Sequence, residues 1–201
     1  MRLMKSVLLS LVLGLAVCAT ALGQGKIRFN NDSLHLVYFT TYTPDLAPQD
    51  VGLAGQAVPA GGQLPSNHQL VVDLYAGLSS SSLALVASTS FSGSTQPGTW
   101  VGANLILPTI PGGTLTYFQV FVHEISLVDA YLGWSVIFAG MTGSGTAYPS
   151  ITSFWPVGDF PMDTYGPGSR GAIMVSILPE PGVLSFVLLG LGTWLARRRK
   201  I

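Results

Sequence analysis

The sequence predicts an all-β exported domain, an antiparallel β-sandwich of the Ig-like or jelly-roll type, between an N-terminal signal helix and a C-terminal transmembrane helix. Several segments alternate apolar and polar residues with a period of two, as half-buried strands do. Clusters of Pro, Gly, Ser and Asn separate these segments and are typical of turns. Helical periodicity is weak outside the two terminal apolar segments, so two packed antiparallel sheets are expected.

The N-terminus has the three parts of a secretory signal peptide. Arg2 and Lys5 form a charged region, the apolar run 7–17 follows, and small residues close the segment. Cleavage is expected after Gly23, and a cut after Ala21 is the alternative. The apolar run of about 11 residues is shorter than the ~20 that span a bilayer, which disfavours an uncleaved anchor.

The single cysteine of the chain, Cys18, lies in this segment. A lipidated Cys18 would make the chain a lipoprotein, but Val17 stands where such signals have a small residue. Cleavage of the signal removes Cys18, so the mature chain would have no thiol. A disulfide framework, a thiolate zinc site and a cysteine nucleophile are then excluded.

Eight segments between the two ends are expected as strands because they are rich in β-branched and aromatic residues. They are 26–30, 34–42, 69–76, 83–91, 100–107, 115–125, 134–139 and 172–177. Turns or loops are expected between them, for example at 108–113. Within 115–125 we expect a central strand, with Val120 and Val122 on one face and Gln119, Phe121 and His123 on the other. The stretch 43–67 is unusual, since compact domains seldom contain so long a loop.

The last residues combine three features. A tripeptide with two prolines is followed by the uncharged apolar segment 182–196 and then by four cations. A helix of about 15 residues is about 22 Å long, less than the ~30 Å hydrocarbon core, so it would insert only with local thinning or snorkelling. The cations are expected to stay cytoplasmic and to act as a membrane stop. The tripeptide is Pro179, Glu180 and Pro181, and the cations are Arg197, Arg198, Arg199 and Lys200.

This order of features over 178–201 resembles the PEP-CTERM sorting signal of Gram-negative bacteria. The resemblance implies recognition of the tripeptide by an exosortase, a transpeptidase-like membrane enzyme, and removal of the tail. It implies signal peptidase and, transiently, the inner membrane as further partners, with the product at the cell surface or outside the cell. A plain single-span anchor that is never processed is the alternative. The middle of the chain, at 69–77, 83–86, 108–112 and 119–123, more loosely resembles uncharacterised PEP-CTERM proteins of Verrucomicrobia, which bring no known activity.

The chain is therefore divided into a signal peptide (1–23), an exported domain (24–177) and a sorting segment (178–201). The formal net charge of zero averages over these parts. Between residues 24 and 178, three cations (Lys26, Arg28 and Arg170) stand against eight carboxylates, which leaves a net charge of about −5. Nucleic-acid binding is excluded, since it depends on a basic surface.

The three histidines lack the HExxH or HxH spacing of metal ligands, so no metal or cofactor is expected. His123 and Glu124 are neighbours on a strand and point to opposite faces, so we interpret them as a surface polar pair. His35 is expected to face solvent from its strand. His68 is expected in a loop.

No pattern of a catalytic site is present, and a non-enzymatic protein is expected. The G-x-S-x-G elbow is absent, and the serines at 79–82 are typical of a flexible turn. Asp159 and Asp163 could hold calcium or serve a glycosidase, but they lack the calcium-loop pattern and fit a solvated loop. An unrecognised hydrolase stays an alternative; it would need the carboxylates Asp45, Asp50, Asp159 and Glu124 gathered in one cleft.

Five aromatic residues lie in a stretch rich in Pro and Gly near the end of the domain. They could stack against the sugar rings of an exopolysaccharide, as in a carbohydrate-binding module. They could also cover one end of the sandwich, which we favour. The set is Tyr148, Phe154, Trp155, Phe160 and Tyr165.

Overall fold

The structure is a computed structural model that describes residues 23–125, 131–156 and 171–177. These residues form nine strands and four short 3₁₀ helices, and they contain no α-helix. The prediction of a β-rich domain is confirmed. The strands are β1 (Gln24–Phe29), β2 (Leu36–Phe39), β3 (Leu70–Gly77), β4 (Ala84–Ser90), β5 (Ala103–Pro111), β6 (Leu115–Glu124), β7 (Tyr131–Trp134), β8 (Phe138–Met141) and β9 (Gly171–Ile177).

The signal segment 1–22 and the sorting segment 178–201 lie outside the described residues. The helices expected in both segments therefore have no structural description. Within the described ranges, no helix is long and apolar enough to cross a membrane.

The strands form two sheets. β1 and β5 pair in a two-stranded sheet, and the other seven strands form a sheet in the order β2-β9-β7-β6-β3-β4, with β8 also paired to β6. The expectation of purely antiparallel sheets is wrong at one pair, because β2 and β9 run parallel. These two strands come from opposite ends of the domain, so no short hairpin fixes their relative direction.

β6 is the central strand that the alternation predicts. It pairs with β3 along its length, from Leu70 opposite Glu124 to Gly77 opposite Tyr117. Val120 and Val122 have no exposed surface, and the residues that alternate with them are only half-buried. The prediction for this strand is confirmed.

On its other side, β6 pairs with β7 and then with β8. The expected single strand 134–139 is in fact two strands, with a bulge between them. Ser135 lies at the bulge, where its backbone N–H donates to the Val120 carbonyl (2.9 Å) and its Oγ accepts from the Val120 N–H (2.9 Å). The hydroxyl thus replaces a backbone partner and lets the strand break.

β5 continues through Pro111, so it includes the first four residues of the turn expected at 108–113. Its register with β1 jumps from Leu107 opposite Gly25 to Pro111 opposite Gln24. Pro108 therefore lies in a bulge outside the regular pairing, where its missing N–H leaves no gap in the ladder.

Both sheets contribute to one hydrophobic core. Trp155 lies within it: its ring stacks on Phe138 at 5.3 Å between centroids and lies 6.5 Å from Trp100. The stretch 43–67 is also packed, since it contains three 3₁₀ helices and its side chains Leu46, Ala47, Val58 and Leu64 are buried.

Candidate functional site

Three aromatic side chains lie on the outer face of the large sheet, on the neighbouring strands β3, β6 and β7. Phe121 is directly opposite Trp134, and Tyr75 is directly opposite Gln119. The rings of Phe121 and Trp134 are 6.4 Å apart at an interplanar angle of 28°. These four residues line an open depression of about 400 Å³, and Trp134 is 53% exposed. We call them the aromatic face.

A polar group adjoins the aromatic face at Asp73. The Ser88 hydroxyl donates to Asp73 Oδ1 (2.6 Å), and His123 Nε2 lies 3.1 Å from Asp73 Oδ2. His123 Nδ1 faces the backbone carbonyl of Glu124 at 3.0 Å. Both ring nitrogens of His123 therefore face oxygen acceptors. Its ring also stacks on Phe121 at 5.2 Å.

This polar group does not activate a nucleophile. In a serine hydrolase the histidine lies between serine and carboxylate and takes the serine proton. Here Asp73 lies in the middle, so the Ser88 hydroxyl donates to a carboxylate and not to a histidine. The arrangement fixes side chains on the face of the sheet.

A second polar network is buried on the core side of the sheet. Asp50 has no exposed surface and accepts hydrogen bonds from the Ser66 N–H (2.9 Å), the Ser66 hydroxyl (2.5 Å) and the Tyr131 hydroxyl (2.9 Å). The Tyr131 hydroxyl in turn accepts from the Ala47 N–H (3.0 Å). Burial is the main cause that raises the pKa of Tyr131, and the nearby Asp50 carboxylate adds to it.

Glu124 belongs to the same side of the sheet. The expectation that His123 and Glu124 form a surface pair is wrong, because Glu124 is only 1% exposed. It occupies a core-facing position of β6, and His68 Nδ1 from the loop before β3 contacts its Oε1. His123 and Glu124 do point to opposite faces of the sheet, as expected, but Glu124 points to the core.

His35 is also buried, with 1% exposure, so its expected solvent-facing position is wrong. Its Nδ1 lies 2.7 Å from Asp32 Oδ1, and its Nε2 lies 3.1 Å from the carbonyl of Trp155. Partial burial alone would raise the pKa of Asp32, but the hydrogen bonds from His35 and from the Leu34 N–H outweigh it and lower that pKa. His35 therefore ties the turn before β2 to the interior.

The five aromatics proposed from the sequence for sugar stacking do not share one exposed surface where the structure describes them. Trp155 is 3% exposed, and Phe154 packs against Gly140. Tyr148 is half-buried, with the Lys26 ammonium 5.4 Å from its ring centroid. Phe160 and Tyr165 lie outside the described residues, as do the sorting tripeptide and the four cations of the tail.

Of the carboxylates considered for hydrolysis or calcium, Asp159 and Asp163 are likewise outside the described residues. Asp45 is half-buried in a 3₁₀ helix, whereas Asp50 and Glu124 belong to the buried network. In the part of the chain that the structure describes, no group of three or more His, Cys, Asp or Glu side chains could hold a metal ion.

Sequence reasoning missed the aromatic face. The alternation places Phe121 on the outer face of its strand, and this much could be inferred. The register that brings Trp134 and Tyr75 beside it could not be predicted, because alternation within a strand does not show which residues of other strands lie opposite. In addition, β7 spans Tyr131–Trp134, whereas the expected strand is 134–139. No family model, curated protein or solved structure matches this chain.

Proposed function

We propose that the chain is an exported, non-enzymatic protein of the cell surface or extracellular matrix, sorted through its C-terminal tail by an exosortase. The observation that carries this proposal is the ordered tail, in which Pro179-Glu180-Pro181 precedes the apolar segment 182–196 and the cations 197–200. The signal-like segment at the other end supports export. As the finer architecture we propose an Ig-like or jelly-roll sandwich, which is supported by two sheets that share one core.

The pairing of the histidines supports a non-enzymatic role. Each of the three lies against a carboxylate: His35 with Asp32, His68 with Glu124 and His123 with Asp73. Two of these carboxylates are buried in the described fold and hold neighbouring side chains in place. A general base for hydrolysis would instead face a cleft and a reacting group.

The test is the intact mass of the protein recovered from cells that have or lack the exosortase. We expect a mature chain that ends near Pro179 only when the enzyme is present. A double substitution of Pro179 and Pro181 to Ala should block this trimming, and Pro108→Ala, in the exposed bulge of β5, serves as the matched control. An intact tail in both strains would instead support a permanent anchor.

Carbohydrate binding is a second candidate function, and the exposed aromatic face favours it. Sugar-binding surfaces need accessible rings, which stack against the apolar faces of sugars, beside polar groups that fix orientation. Trp134 is exposed, Tyr75 and Phe121 are half-buried beside it, and Gln119 is the polar neighbour. Trp155 is part of the core, so its substitution would test folding.

A further inference from the structure

We propose that the aromatic face of β3, β6 and β7 binds a neutral glycan chain. Tyr75, Phe121 and Trp134 would stack against sugar rings, and Gln119 beside them would bind hydroxyls. This inference rests on the second candidate function above and is independent of the sorting proposal.

The exposure of these rings is the first argument. β3 and β6 bury their alternate residues completely, so the sheet has an ordinary core side and an open side. On the open side, polar or small residues would serve solubility, yet Trp134 keeps about half of its surface in water. Tyr75 and Phe121 beside it are half-buried. A partly exposed aromatic cluster of this kind is typical of a binding surface.

The shape of the cluster is the second argument. Its three rings lie on adjacent strands, so the group extends about 10 Å across the sheet, or two strand spacings. The rings of Phe121 and Trp134 are inclined by 28° to each other, and together with Tyr75 they line the apolar part of the depression. A sugar ring has the matching form, with C–H groups on its faces and hydroxyls around its edge.

The polar groups around the rings are held in place. The Gln119 amide donates from Nε2 to the Ser135 carbonyl (3.1 Å), which fixes it among the aromatic rings. Asp73 is fixed by Ser88 and His123. Few and fixed polar groups beside apolar walls are typical of small-molecule and sugar sites, because little side-chain freedom is lost on binding.

The charge of this surface selects a neutral ligand. The basic side chains within the described residues are Lys26 and Arg28, and both lie on β1 in the two-stranded sheet. The four residues of the aromatic face include no lysine or arginine, and Asp73 with His123 adjoins them. Among the described residues, an acidic polysaccharide would find no lysine or arginine on this face to pair with its carboxylates or sulfates.

The experiment is affinity electrophoresis of the full-chain protein in native gels that contain one polysaccharide each. The neutral probes are mixed-linkage β-glucan, hydroxyethylcellulose and dextran, and alginate is the anionic probe. We expect retardation by at least one neutral probe and none by alginate. Trp134→Ala should weaken that binding at least about tenfold, as loss of a central aromatic contact does, and Tyr75→Ala should weaken it as well.

Two variants serve as matched controls. Ile106→Ala removes a side chain of similar exposure (52%) from β5 in the other sheet. Tyr148→Ala removes an aromatic ring outside the aromatic face. Both should bind as the wild type does, and Trp134→Phe should keep most of the affinity. Circular dichroism and thermal melting of each variant separate lost binding from lost folding.

Several results would overturn the proposal: no retardation by any of the three neutral probes, equal retardation of wild type and Trp134→Ala, or retardation by alginate alone. Loss of binding in Tyr148→Ala would place the site elsewhere. A dimer abolished by Trp134→Ala would identify a second copy as the occupant. The intact mass of the exported variants is measured in parallel and reports on sorting alone. Failure of the glycan-binding proposal can therefore be distinguished from failure of the sorting proposal.

Discussion

The buried hydroxyl of Tyr131 gives the sharpest test of what stabilises the fold. In Tyr131→Phe the ring remains, but Asp50 loses one of its three donors and the Ala47 N–H loses its acceptor. A hydrogen bond to a charged group contributes about 1.5–3 kcal/mol, and a buried N–H left without a partner costs about 1–3 kcal/mol. We therefore expect the free energy of unfolding to fall by about 3 kcal/mol, a large share of the ~5–15 kcal/mol typical of a domain.

The assay is urea unfolding followed by tryptophan fluorescence. For a slope of about 2 kcal/mol per molar urea, the midpoint should move down by about 1.5 M with the slope unchanged. Tyr117→Phe is the matched control, because Tyr117 is half-buried on the outer face of β6, and its substitution should change stability by less than about 0.5 kcal/mol. A Tyr131→Phe midpoint equal to that of the wild type would refute the network as a source of stability.

Two further predictions follow from local geometry. The lowered pKa of Asp32 means that the folded state binds its proton less readily than the unfolded chain does, so this carboxylate stabilises the fold above its unfolded pKa of ~3.9. That contribution is lost as the pH falls through the folded pKa, and Asp32→Asn should show lower stability at neutral pH with a weaker dependence on pH below about 4. Gly140→Ala should destabilise by about 1–3 kcal/mol, because the new Cβ would lie 2.1 Å from Cγ of Phe154.

Urea unfolding across a series of pH values checks the first of these predictions, and parallel acid profiles of wild type and Asp32→Asn would contradict it. For the glycine, Gly52→Ala is the matched control, since its Cβ would meet nothing within 4 Å. Equal stability of both glycine variants would show that Phe154 moves aside without cost.

The strands that alternate clearly could be predicted from the sequence. β6 has an unbroken period-two pattern of burial, and β3 departs from it only at Asp73 and Gly77, which are also buried. The bounds of both strands lie within a residue or two of those predicted. β7 and β8 could not be separated, because the break depends on the Ser135 hydroxyl bonding to a strand that is distant in the sequence. The parallel pairing of β2 and β9 could not be predicted either, since alternation within a strand does not show which strand pairs with it or in which direction.

The buried polar residues show the same limit. His35 and Glu124 are polar, and a pattern of alternation assigns polar residues to solvent. His35 is instead paired with Asp32, three residues before it, and with the distant Trp155 carbonyl, and Glu124 is paired with His68. Contacts between residues that are distant in the sequence produce no local pattern from which they could be predicted. The strand register that builds the aromatic face depends on such contacts as well.

The position of β9 has a consequence for the order in which the domain can form. This strand lies between β2 and β7, so it joins a strand from near the start of the domain to the rest of the large sheet. Until residues 171–177 have been synthesised or exported, β2 and β7 each have an unpaired edge. Unpaired strand edges favour association with other chains. Completion of the sheet must also wait for a contact between distant parts of the sequence, which is slow to form. A chaperone that shields these edges until the last strand arrives would therefore increase the yield of folded protein.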